Sequence, residues 1–119
     1  MKQIKIINAY RTTEELVSNP DIDENMHWQI YKVRKAIRSN VDFYNERVSM
    51  LNNKYANVTD ENGIIKGEDF IHYQNELEEI NNLDVEVEPF DVPVLPLVKG
   101  INFKQIEALE DFVNFEPTE

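Results

Sequence analysis

Residues 24 to 55 contain neither proline nor glycine, and their apolar side chains fall at Met26, Ile30, Val33, Ile37, Val41, Tyr44, Val48, Leu51 and Tyr55. Steps of three and four place all nine on one face of a helix. Asp21 or Asp23 can cap its start, and at about 1.5 Å per residue the helix is a rod roughly 45 Å long. The two consecutive steps of four, from Val33 to Ile37 to Val41, resemble a stutter that locally unwinds a left-handed supercoil. A stripe of that length dictates the rest of the fold, because something equally long has to cover it.

The chain offers two covering segments downstream. Asn62-Gly63 signals a turn, and Gly67 followed by Glu68 and Asp69 suits a helix start, with acids at the positive end of the dipole. The spacing of Phe70, Tyr73, Leu77 and Ile80 predicts a second helix over 68–82, folded back on the first as an antiparallel hairpin. Fifteen residues reach along only half of the rod, so the stripe from Met26 to Ile37 needs other company. Phe103, Ile106, Leu109, Phe112 and Val113 predict a third helix over 102–115, the first candidate for that cover. Another chain is the alternative. Trp28 lies off the stripe, either packed under the third helix or exposed as a binding anchor.

The remaining segments read as extended. Ile4 and Ile6 alternate with Lys5 and Ile7, which predicts a strand over 2–9 by period-two spacing. Thr12 and Glu15 have capping-box spacing for a brief helical turn, and Asn19-Pro20 ends it. Residues 84–100 alternate like a strand but carry Pro89, Pro93 and Pro96, which excludes the middle of a sheet. This segment is either an edge strand, pairing with 2–9 as a small ribbon whose prolines guard the edge, or an arm laid across a partner. The expected fold is α+β and mainly α: a single domain over 1–119 with a helical hairpin of residues 24–55 and 68–82, a two-stranded β-ribbon and a short C-terminal helix.

Charge is divided unevenly along the chain. Residues 1–54 hold nine cationic and seven anionic side chains, whereas residues 55–119 hold three and sixteen, net −13 in a chain whose total is −11. A field of that sign repels nucleic-acid phosphates, so direct binding of DNA or RNA would rest on the short basic run "YKVRKAIR" alone. A basic protein partner suits it better; solubility alone is the plainer account of the acids. Lys32, Arg34, Lys35 and Arg38 are expected to pair with the acidic half of the same chain or of another copy, or to stay solvated. No run is apolar enough for a membrane span or signal peptide, and the lack of cysteine excludes disulfides and thiolate zinc sites.

No constellation carries chemistry, so no catalytic residue, cofactor or metal is expected. His27 and His72 lie on different predicted helices without an HExxH pairing. Three scattered glycines form no phosphate loop, and Ser18, Ser39 and Ser49 have no nucleophile-elbow context. Glu76, Glu78 and Glu79 read as the solvated face of a helix rather than an acid/base pair. A calcium loop set on Gly63 would use Asp60, Asn62 and Ile65, but Val58 would hold the first ligand position and Asp69, not glutamate, the last.

The order "KIINAY", "YKVRKAIRSNVDFYNERVSMLNNKYA", "DENGII", "FIHYQNELEEINNLDVEVEPFDV" and "FKQIEALEDFV" resembles a family of small, functionally uncharacterised proteins of bacteriophages and prophages of low-GC bacteria. The stretch "SNPDIDENMHW" departs from it, being longer and more acidic. The resemblance implies phage origin and a fold, and it transfers no site.

Two functions follow as expectations. In one, a non-enzymatic phage protein in the bacterial host cytoplasm occludes a basic, nucleic-acid-binding surface of a host protein, such as a defence nuclease of the CRISPR type, by imitating phosphate charge. Its partner-binding residues would be Trp28, Glu76, Glu79, Asp84, Glu86, Glu88 and Asp91. In the other, the chain is a virion assembly component that oligomerises through the uncovered stripe at Met26 to Ile37 and the proline-containing arm.

Overall fold

The structure, a computed structural model, describes residues 1–117. Four helices, α1 (Gln3–Val17), α2 (Glu24–Lys54), α3 (Glu68–Asn82) and α4 (Phe103–Leu109), are joined by a two-stranded parallel sheet of β1 (Val94–Leu97) and β2 (Asn114–Pro117). The fold is mainly α with a small β part, as expected, and its axes measure 55 × 29 × 20 Å.

The rod is α2, and the side chains of its predicted stripe from Met26 to Leu51 are buried apart from Val48, which is half-buried. Asp23 is the cap: its Oδ1 accepts from the Met26 amide at 2.9 Å. The helix α3 is found over the predicted residues and returns antiparallel along the far half of the rod. Tyr55 Oη donates to Glu76 Oε2 and, about three turns back along α2, Tyr44 Oη donates to Asn81 Oδ1 at 2.8 Å.

The near half of the rod is covered by α1, which corrects the expected strand over 2–9 and brief turn near Thr12. Gln3, Ile6, Ile7, Ala9, Thr13 and Leu16 are buried at helical spacing, whereas the alternation of Ile4 and Ile6 is too short to separate period two from period 3.6. The threonines are accommodated because each hydroxyl bonds back into the helix, Thr12 to the Asn8 carbonyl and Thr13 to that of Tyr10. Thr12 is therefore mid-helix and caps nothing. Asn19-Pro20 does follow the helix end, and the Asn19 amide donates to the Leu16 carbonyl at 3.0 Å.

At the centre of the rod the start of α1 meets the end of α3. The Gln3 amide donates to the Leu83 carbonyl at 2.9 Å, and Gln3 Nε2 to that of Ile80 at 3.0 Å. Two fifteen-residue helices thus lie end to end against a thirty-one-residue one. The expected ribbon between 2–9 and the segment after 84 shrinks to a single antiparallel bridge, Lys2 with Asp84.

The C-terminal segment forms a third layer on α1 and the near half of α2. β1 and β2 are parallel, with Leu95 opposite Phe115, and α4 is the crossover between them. The expected helix over 102–115 stops at Leu109, after which Phe112 and Val113 turn into the core. Pro117 biases Glu116 toward extended backbone, and the pairing with β1 then takes the segment from Asn114 as a strand. Pro96 sits within β1, tolerated because a two-stranded sheet is all edge. Gly100 sits where a Cβ would stand 2.8 Å from Asn19 Nδ2, with φ at +99°, so the crossover requires glycine there.

Candidate functional site

Residues 84 to 91 leave the end of α3 as extended chain. Asp84, Glu86, Glu88 and Asp91 are exposed or rim the surface, while Val85, Val87 and Phe90 are half-buried against the core. Period-two alternation therefore sorts residues 84–88 into an apolar floor and an acidic ridge, and it breaks at Pro89, after which Phe90 turns inward and Asp91 outward. The ridge is pinned at three points: the Val85 amide donates to the Met1 carbonyl at 2.9 Å, Asn40 Nδ2 donates to the Glu86 carbonyl at 3.0 Å, and Phe90 stacks on Phe112 at 6.4 Å. Asp84 lies 3.8 Å from the amino group of Met1. Among the described residues Glu86, Glu88 and Asp91 make no ion pair.

Glu79 is exposed on α3. Glu76 is engaged elsewhere, for its carboxylate accepts from Lys54 Nζ and from Tyr55 Oη and so clasps the two helices of the hairpin. The Lys54 ammonium first, and the Tyr55 hydroxyl second, hold the Glu76 carboxyl below the usual range. The same hydrogen bond, followed by burial and the carboxylate's charge, pushes Tyr55 up to about 12. A carboxylate with both oxygens taken presents little to a partner, so Glu76 belongs to the clasp rather than to the ridge.

Trp28 lies on the outward face of α2, 57% exposed, and not under the C-terminal layer. Its ring stacks on Tyr31 at 5.5 Å and 18°, with Lys32 Nζ 5.8 Å from the ring centre. Glu24, His27 and Lys35 complete the lining of a shallow depression beside the two rings, with a volume of about 460 Å³. The His27 Nε2 is buried without a hydrogen-bond partner among the described residues. No hydrogen bond, ion pair or ring contact among the described residues joins Trp28 to any of the acids.

Among the described residues the basic run makes no ion pair with the acidic half of its own chain. Arg34 turns to α1, 3.8 Å from Glu14, 2.8 Å from Thr13 Oγ1 and over the Tyr10 ring at 4.1 Å. Lys32, Lys35 and Arg38 point away from the core, and none makes an ion pair among the described residues. No signal in the sequence announces this arrangement, since it is α1 that takes the one cation turned inward.

The loop weighed for calcium is held by its own backbone. Asp60 Oδ1 accepts from the amides of Asn62 and Ile64, both at 2.9 Å, and Oδ2 lies 3.5 Å from Lys66 Nζ. The Ile64 amide is the main reason the Asp60 carboxyl titrates below its ordinary value. His27 and His72 lie toward opposite ends of α2. Among the described residues no cluster of three or more histidine or carboxylate side chains is placed to hold a metal, and no helix is long and apolar enough to cross a membrane.

No protein-family model matches the chain, and no curated protein or solved structure is significantly similar to it.

Proposed function

We propose that the chain is a phage-encoded, non-enzymatic interaction protein of the bacterial host cytoplasm, which uses its acidic ridge to occlude a basic, nucleic-acid-binding surface of a host protein. The observation that carries this reading is the row Asp84, Glu86 and Glu88, set along one edge of a segment fixed from beneath by Val85 and Val87. Acids at every second residue of extended chain recur about every 6.7 Å, a repeat of the order of the phosphate spacing along a nucleic-acid strand. Glu79 on α3 and Asp91 beyond Pro89 are further exposed acids on either side of the row in the chain. A site built to receive a phosphate backbone with lysine and arginine would accept such a row by the same charge-assisted hydrogen bonds. The target class is a nuclease of host defence, CRISPR effectors among them.

The test is capture from host lysate on the immobilised chain, with a Glu86→Lys/Glu88→Lys variant in parallel. The expected catch is one basic nucleic-acid-binding protein, lost at high salt, lost with the variant and displaced by competing nucleic acid. Recovery of phage structural proteins alone, indifferent to salt and to the variant, would overturn it.

A second reading, virion assembly, loses its first support because α1 covers the stripe at Met26 to Ile37. It retains one observation, the exposed apolar side chains of Met50, Ile64, Phe70 and Ile71 at the two-helix end of the rod.

A further inference from the structure

The fold leaves two oppositely charged surfaces unneutralised. One is the outer face of α2, where Lys32, Lys35 and Arg38 flank the stacked rings of Trp28 and Tyr31. The other is the acidic ridge, where Glu86, Glu88 and Asp91 flank the exposed Pro89, with Val92, also exposed, next to Asp91. Each therefore has an apolar centre between charges, and the charges are of opposite sign. Both stand on fixed elements, one on the longest helix and the other on a segment tied to Met1, Asn40 and Phe112. Within one chain they do not meet.

We infer that the aromatic and basic face of α2 docks the acidic ridge of a second copy of this chain. Every copy carries both halves of the contact, so copies associate face to ridge, and sedimentation separates a closed two-fold pair from a head-to-tail series. Trp28, exposed and already stacked on Tyr31, is the anchor: its ring covers the proline and valine of the partner ridge, at little cost in side-chain entropy. The lysines and the arginine set register and speed the encounter, and screened surface ion pairs of this kind add little affinity by themselves.

The pairing rests on the same acidic ridge as the function proposed above and adds a regulation to it. Paired copies hide the ridge, and a basic target has to displace one copy to reach it. A charge reversal on the α2 face alone, Lys35→Glu/Arg38→Glu, therefore abolishes pairing and increases capture of a basic host target. The Glu86→Lys/Glu88→Lys variant abolishes both. The two ideas consequently fail separately.

The deciding experiment is sedimentation of the purified full chain, alone and mixed, with the fluorescence of its single tryptophan as a second readout. The wild type should associate at low salt with a blue shift of Trp28, and its dissociation constant should rise at least about ten-fold at about 1 M salt, where the screening length is about 3 Å. Each reversed variant, its fold checked by circular dichroism, should be monomeric alone. An equimolar mixture of the two should pair, because the acidic α2 face of one then meets the basic ridge of the other. A wild type that stays monomeric at low salt overturns the inference. So do variants that still self-associate, or that fail to recombine. Quenching of Trp28 by a single-stranded oligonucleotide without any self-association assigns the face to nucleic acid instead and overturns it equally.

Discussion

The two halves of α2 are covered in different ways. Its first half lies beneath α1 and the β1–α4–β2 layer, and there Ile6, Leu16, Ile30, Val33, Ile37, Leu95, Leu109 and Phe112 are all essentially inaccessible. Its second half has α3 alone, and the buried apolar residues are Val41, Tyr44, Leu51, Tyr55 and Ile80. Polar clasps take over where the third layer is missing: Tyr44 to Asn81, Tyr73 to Asn52, and Lys54 with Tyr55 to Glu76. Met50, 64% exposed, and Ile71, 57% exposed, lie on the outward faces of this end. The rod thus has one end stabilised by burial and another held by a few directional contacts. The acidic ridge crosses at the junction.

That contrast can be broken first at its strong end. Phe112 is 1% exposed and joins the C-terminal layer to the floor of the ridge through Phe90. Phe112→Ala should cost about 3–5 kcal/mol, a loss that releases the whole C-terminal layer, measured by urea denaturation. Leu51→Ala at the thin end should cost less, about 2–3 kcal/mol, because a two-layer site collapses more easily. Equal losses, or the reverse order, would mean that the ends are not energetically distinct. Gly100→Ala comes next: positive φ and the close approach of Asn19 and Asp21 make it destabilising by about 1–3 kcal/mol, read from the same curves.

The same contrast explains what is legible in the sequence. The stripe of α2 and the second helix over 68–82 can be read because their periodicity runs long enough to exclude other periods. The acidic alternation over residues 84–88 is short and is legible because the prolines that follow it exclude a continued helix. Fifteen residues of α3 fall short of Met26 to Ile37, which correctly demands more cover, but that cover comes first from α1 and not from a helix over 102–115. In α1 the face that packs is Gln3, Ile6, Ile7, Thr13 and Leu16, and a buried glutamine and threonine do not register as apolar. The parallel pairing of Val94–Leu97 with Asn114–Pro117 depends on the tertiary seat of α4, which no local pattern encodes. Spacing alone places Trp28 off the stripe; its exposure follows only once α1, rather than a third helix, takes the space over α2.

The smallest effect sharpens the comparison at its weak end. The Glu76 carboxyl is held below its ordinary value by Lys54 and Tyr55, so the clasp contributes stability above the unfolded carboxylate range and loses it as the pH falls through the lowered folded value. Tyr55 runs the other way: pushed up to about 12 from 10.0, it favours the fold fully below pH 10 and gives that up as the pH rises toward 12. Glu76→Gln keeps the shape and removes the charge. Thermal melts should therefore fall less between about pH 7 and about pH 3 in the variant than in the wild type, a part of the acid sensitivity remaining with Asp60. Amide exchange separates the regions: at neutral pH the variant should lose protection in α3 and the end of α2, and none in α1 or around Phe112. Uniform loss across both ends would show that the clasp supports the whole rod, and the division between a buried end and a clasped end would then be one of composition and not of stability.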